Sequence, residues 1–214
     1  MIQLEIPALP HLHAGSSLPS LTEALDALPR QAIGSAPWPV YEQGPEVEFA
    51  MAHNEDCLFL KYYVKENDVQ AMHRQTNDLV YKDSCVEFFI AFRGEEAYYN
   101  FEFNCLGTCR AGFGTGRDNR KLLPPGRIAH IKRWAVLKVS NKAIPRVTWQ
   151  LTLVIPREAF SEHRLTNLQE EQARVNFYKC GDDLPNPHYL AWGMIEAPEP
   201  NFHLPEFFGE AKFS

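Results

Sequence analysis

Residues 97–105 alternate with a period of two. Tyr99, Phe101, Phe103 and Cys105 fall on one side, and Tyr98, Asn100, Glu102 and Asn104 on the other. That period sends successive side chains to opposite faces of a strand. The first set reads as core, and the second lines up a phenol, two amides and a carboxylate. Residues 84–92 repeat the pattern, with Val86, Phe88 and Ile90 opposed to Glu87, Phe89 and Ala91. If the two strands pair with their core sides together, Glu87, Asn100, Glu102 and Asn104 share one outer sheet face. Such a face suits a polyhydroxylated ligand, because carboxylates accept bidentate hydrogen bonds from adjacent hydroxyls while amides both donate and accept. Sugars also stack their C–H faces on aromatic rings, and Tyr81, Trp192, Phe202 and Phe207 stand near expected loop or strand ends. The plainer reading of the same residues is exposed strand positions and core aromatics.

Other constellations imply other chemistry. Glu87 and Glu102 together invite a glycoside hydrolase reading, in which two carboxylates stand ~5–5.5 Å or ~6.5–9.5 Å apart across the scissile bond. Paired hydroxyl acceptors are the simpler account, since acids on neighbouring strands are common. Gly112-Phe113-Gly114-Thr115-Gly116 superficially resembles a phosphate loop. The residues after it, with Pro124-Pro125, do not open a helix, so a turn is expected. Arg110, Arg117, Arg120, Lys121, Arg127, Lys132 and Arg133 face the single acid Asp118, which reads as a solvated loop or, more sharply, as a contact for an acidic sugar or phosphate. His11 and His13, or His188 and His203, lack the spacing of a metal site. The five cysteines, Cys57, Cys85, Cys105, Cys109 and Cys180, form no CxxC pair and predict buried thiols rather than a disulfide framework.

The elements that must position these residues are strands. The chain of 214 residues is 45% hydrophobic and 22% charged, with 14 Phe, 8 Tyr, 4 Trp and 16 Pro, which favours strands joined by stiff turns. It is long enough for one self-sufficient domain. A net charge of -6 argues against a chain-wide grip on nucleic acid, and no apolar run approaches the ~20 residues that span a bilayer. Strands are expected from Glu46 onward, where Val47, Phe49 and Met51 alternate with polar neighbours or alanine, and at 57–64, 84–92, 97–105, 134–140, 147–155, 173–180, 190–195 and 211–213. Short helical pieces such as 157–161 fit between them, but no strand–helix rhythm appears, so an all-β antiparallel sandwich is expected. Before it, Ser20 and Glu23 suggest a capping box for a helix with Leu21, Ala24, Leu25 and Leu28 on one face, and Pro37-Trp38-Pro39 an extended entry. Residues 1–37 are therefore expected as an extension whose short helix packs on a domain formed by 38–214.

Three stretches together resemble carbohydrate-binding module family 9 and its stand-alone relatives. They are Asn77-Asp78-Leu79-Val80-Tyr81-Lys82-Asp83-Ser84-Cys85-Val86-Glu87-Phe88-Phe89-Ile90, then Tyr99-Asn100-Phe101-Glu102-Phe103-Asn104 leading to Gly112-Phe113-Gly114, and finally Phe202-His203-Leu204-Pro205-Glu206-Phe207-Phe208-Gly209. The resemblance implies a jelly-roll β-sandwich and non-catalytic binding of a mono- or oligosaccharide end, with no nucleic acid or membrane partner. It places Tyr81 and Phe202 at the positions of two stacking rings, where Trp is usual, Glu87 at a hydroxyl-binding glutamate and Asn104 at its neighbouring asparagine. Glu102 departs from the family, in which a basic residue is familiar, and is expected to change which hydroxyls or charges are accepted. The family also implies a structural calcium ion, for which Asp56, Asp83, Asp182 and Asp183 are candidate ligands. A haem-binding branch of the sandwich uses Met with Lys or His, and Met51, Met72 and Met194 are the candidates here, against their plain reading as core filler. Residues 176–183 resemble a segment that borders the binding end, with Lys179 as a possible donor or a snorkelling edge residue. Related modules are often exported, whereas unpaired thiols and no leader point to the cytoplasm if the chain is full length.

Overall fold

Alternating apolar positions on many short strands can be buried only by laying sheet on sheet. The computed structural model, which describes residues 2–38, 40, 44–140 and 146–214, has this arrangement. One sheet has the order β1 (Gln3–Ile6), β13 (Gly209–Phe213), β11 (Ala173–Cys180), β5 (Cys85–Phe92), β6 (Tyr98–Asn104), β7 (Cys109–Gly114) and β8 (Arg120–Leu122), with β12 (Tyr189–Ala191) also paired to β11. The other has the order β2 (Gln31–Ala32), β3 (Glu46–His53), β4 (Cys57–Glu66), β10 (Val147–Pro156) and β9 (Lys132–Val139). Pairing is antiparallel apart from β1 with β13, which run parallel. The protein is an all-β sandwich. Helices are short: α1 (Leu18–Asp26) and the single turn α2 (Pro125–Ile128).

Between the sheets, Phe49 of β3 stacks on Phe177 of β11 with centroids 3.8 Å apart, and Phe177 in turn stacks on Phe88 at 5.2 Å. Tyr99, Phe101 and Phe103 join this core, as their alternation predicts. Trp192 lies here too, edge-on to Phe177 at 5.8 Å, so it is a core ring. Each fully buried ring of this kind contributes ~1.5–3 kcal/mol.

Residues 2–37 reach both sheets. β1 pairs with β13 and β2 with β3, while Leu21 and Leu25 of α1 pack on Phe59 and Val154 at the outer face of the second sheet. The helix begins earlier than the capping box suggests: Ser17 is the N-cap and its hydroxyl accepts from the Ser20 amide at 3.3 Å. Pro19 sits in the first turn, where its missing N–H costs nothing. Pro39 of the expected extended entry lies outside the described residues.

Lys179 shares its parity on β11 with Phe177 and Val175 and so points between the sheets. It meets Glu66 of β4, Nζ to Oε2 3.0 Å, with both side chains buried. Trp149 donates to Glu66 Oε1 at 2.6 Å, and His188 Nε2 lies 2.8 Å from the ammonium. Burial and the Lys179 charge push His188 down to about 3, so this ring is a neutral partner. Lys179 is thus neither a donor at the outer face nor a snorkelling edge residue. Replacing one partner of such a pair strands a buried charge. Glu66→Gln is expected to cost ~3–5 kcal/mol, read from the urea midpoint, and the double variant Glu66→Leu/Lys179→Met to recover most of it. Little change in the single variant would mean that water reaches the ammonium.

Candidate functional site

The outer face of the first sheet is covered. Residues 193–208 cross it as a strap, and Phe89, Tyr98, Tyr178, Phe202 and Phe208 form a second apolar cluster beneath. Asn176 pins the strap from β11: its amide donates to the Gly193 carbonyl at 3.2 Å and its oxygen accepts from the Gly193 amide at 2.8 Å. The Tyr178 hydroxyl donates to the Phe202 carbonyl at 3.1 Å. The expected open, solvated face is therefore largely an interior one, and Glu87 and Glu102 are only 4% and 1% exposed.

Register sets a straight row across this face. Tyr178 pairs with Glu87, Glu87 with Glu102, and Glu102 with Arg110, so side chains from four adjacent strands rise side by side. Glu87, Glu102 and Arg110 form the floor of a cavity of about 470 Å³ walled by Tyr81, Phe202, Tyr189 and Arg120, within the ~300–1,000 Å³ of small-molecule sites. Tyr81 is half-buried and rides on a short turn, where the Asp182 amide donates to the Tyr81 carbonyl at 3.2 Å. Phe202 is 8% exposed, with one ring face stacked on Tyr178 at 4.2 Å and 8°.

Four of the five residues singled out from the sequence, Tyr81, Glu87, Glu102 and Phe202, thus meet in one cavity. Asn104 does not. Its Nδ2 donates to the His73 carbonyl at 2.8 Å and to Asp83 Oδ2 at 2.9 Å, and its Oδ1 accepts from the Leu106 and Thr108 amides. That amide ties down the 70–83 loop and has nothing left for a ligand. Phe207 belongs to the strap cluster.

The basic segment departs most from expectation. Residues 109–114 and 120–122 are strands β7 and β8 rather than turn and solvated loop. Arg110 and Arg120 face Glu102, with Arg110 Nε 4.0 Å from Oε2 and Arg120 Nη2 3.4 Å from Oε1. Gly112 and Gly114 are strand residues because neighbours come too close for a side chain: a Cβ on Gly112 would lie 2.8 Å from Asn100 Oδ1, and one on Gly114 would strike the Asn119 carbonyl. A period-two signal was present in Cys109, Ala111 and Phe113, all of which pack inward, but the glycines between them read as a turn. His203, placed by the strap, receives the Tyr98 hydroxyl contact at 2.7 Å. Burial, then Arg120, Arg117 and Arg110, push it down to about 2, so it stays neutral.

The two acids differ. Burial, then the Glu102 carboxylate, hold Glu87 well above the usual carboxylate range, while the Cys180 thiol donates to its Oε1 at 3.1 Å. Burial also raises Glu102, but Arg120, Arg110 and the Asn100 amide oppose it. Glu102 Oε2 and Arg110 Nε are buried without a hydrogen-bond partner. A hydroxyl can donate to one and accept from the other.

Three of the four calcium candidates are engaged elsewhere, and the fourth, Asp182, lines the cavity. Asp83 accepts from the Met72 and His73 amides and Asn104, Asp56 pairs with Arg157, and Asp183 pairs with Lys82. Among the described residues, the only three metal-capable side chains that gather are Cys85, Glu87 and Cys180, a donor set with too much sulfur for calcium. Of the haem candidates, Met51 is core, whereas Met72 and Met194 stand exposed and are not core filler.

The model for carbohydrate-binding family 9 matches residues 17–213. The chain belongs to carbohydrate-binding family 9. A crystal structure from Bacteroides uniformis ATCC 8492, provisionally described as a carbohydrate-binding protein, shares 34% identity over 99% of both chains with a TM-score of 0.89. Two structures of a family 9 module from Caldicellulosiruptor kristjanssonii share the fold alone. The one in complex with cellotriose has a TM-score of 0.58 at 11% identity, covering 99% of this chain and 93% of that one. The one with glucose has 0.57 at 9%, covering 100% and 96%. No curated protein matches the chain.

A carboxyl that holds its proton more tightly when folded stabilises the fold fully below its unfolded value, ~4.3. That contribution is lost as pH rises toward the folded value. With Glu87 raised, Glu87→Gln is expected to flatten the fall in stability as pH rises above the unfolded value and to be the more stable protein at neutral pH. Guanidinium denaturation at several pH values reads this. A variant whose stability falls as steeply as the parent's would show Glu87 to be ionised.

Proposed function

We propose that this family 9 protein is a non-catalytic saccharide-binding protein that holds one sugar end in the cavity floored by Glu87 and Glu102. The observation that carries the reading is the buried ion pair of Glu102 Oε2 and Arg110 Nε, 4.0 Å apart, each atom without a hydrogen bond and both on residues of the cavity floor. Unsatisfied buried polar atoms cost ~1–3 kcal/mol each, and a hydroxyl bridging the two satisfies both. Tyr81 and Phe202 supply the apolar walls, and Arg120 holds Glu102 in place while adding donors at the rim. Family 9 modules of the same fold, bound to cellotriose and to glucose, support a saccharide as the ligand class.

A hydrolase reading is disfavoured by the direction from which the acids come. Glu87 and Glu102 are directly opposed on neighbouring strands, so both rise from the floor on one side of a ligand. A glycosidase needs two carboxyl groups that flank the scissile bond. Glu87 is also occupied by the Cys180 thiol and Glu102 by Arg120 and Asn100.

Calorimetry against glucose, cello-oligosaccharides and uronic acids is expected to show saturable one-site binding with no product by chromatography. Tyr81→Ala and Phe202→Leu, the latter chosen to keep packing on Tyr178, should each weaken binding about tenfold, ~1.4 kcal/mol. Glu102→Gln should weaken it at least as much. Unchanged affinity in both ring variants would sink the site assignment, and product formed in proportion to enzyme would sink the non-catalytic reading.

A further inference from the structure

One cluster in the cavity floor is not explained by hydroxyl recognition. Cys85 and Cys180 are directly paired across β5 and β11, and Glu87 stands two residues along from Cys85 on the same outer face. The two sulfurs and a Glu87 oxygen all lie within 4.8 Å of one another, and all three side chains are buried. The remaining thiols sit differently: Cys105 and Cys109 are packed in the inter-sheet core and Cys57 beneath α1. A plain buried cysteine fills apolar space, whereas these two converge on a carboxyl group.

We propose that Cys85, Glu87 and Cys180 form a three-ligand site for a thiophilic divalent ion of the zinc class, set into the floor of the cavity. Two thiolates and one carboxylate are donors zinc accepts, with Zn–S ~2.3 Å and Zn–O ~2.0–2.2 Å. Tetrahedral ligation sets the sulfurs roughly 3.8 Å apart, so closure needs a contraction of about an ångström or less from the 4.8 Å limit. The backbone beneath is already fixed. β5 and β11 are paired along their full lengths, and the Glu87 carbonyl accepts from the Tyr62 hydroxyl at 2.9 Å. On binding, both thiols and the Glu87 carboxyl give up their protons to solvent, so three anionic donors meet the divalent ion and leave one net negative charge near Arg120. Glu87 and Cys180 line the cavity, so the fourth coordination position opens toward it.

This assignment shares only Glu87 with the saccharide reading and stands or falls separately. The full chain, reduced and stripped with chelator, is titrated with cobalt(II) as an optical probe and with zinc(II) by calorimetry. One ion per chain is expected, with a sulfur-to-cobalt charge-transfer band in the near ultraviolet that zinc abolishes. Cys180→Ser should lower cobalt affinity about a hundredfold and Glu87→Gln, which keeps the side chain's shape, about tenfold. Cys57→Ala should leave the band intact. No uptake by the reduced protein, or a band unchanged in folded Cys180→Ser or Glu87→Gln, overturns the proposal. Sugar affinity is measured on the same metal-free samples, so its loss or presence is read independently.

Discussion

The site depends on one constraint, the pinning of residues 193–208 across the outer face of the longer sheet. Without it, the row running from Tyr178 to Arg110 would be an ordinary wet sheet surface, with every charge screened by water. Asn176 uses its amide to hold Gly193, and Tyr178 uses its hydroxyl to hold the backbone at Phe202. Two polar side chains on one strand thereby convert a flat face into a hollow, and they also deliver Phe202 and His203 to its wall.

Enclosure changes what the floor can do. In a medium of low effective dielectric, neighbouring acids on paired strands cannot both ionise cheaply. The structure resolves the conflict asymmetrically. Glu102 has two guanidinium groups nearby, whereas Glu87 has a thiol and the charge of Glu102 itself. Burial raises both acids, and the guanidinium groups leave Glu102 the more readily ionised of the two. That division comes from β7 and β8, which carry the arginines, rather than from the acids themselves.

Much of this was legible in the amino-acid sequence, and the gaps have physical causes. The alternation in residues 97–105 and 84–92 identified two central strands and the shared face of Glu87 and Glu102. Strands β1 and β2 went unread because four or fewer residues at a sheet edge carry too little periodicity. β7 was hidden by glycines that serve close strand approach, although glycine in isolation signals a turn. Asn104 shares the parity of Glu102, but whether an amide faces a ligand or a loop depends on what folds over it. Here Asp83 and the 70–83 backbone claim it. Lys179 illustrates the converse: its inward parity was readable from Val175 and Phe177, but its carboxylate partner lies more than a hundred residues away.

That distant partnership bears on how the molecule comes apart. An ammonium on one sheet and its counter-ion on the other can neutralise each other only after the two layers have docked. Either layer alone would expose a hydrophobic interior that still carries a bare charge. A half-assembled sandwich is therefore penalised twice, and the two layers should melt as one cooperative body.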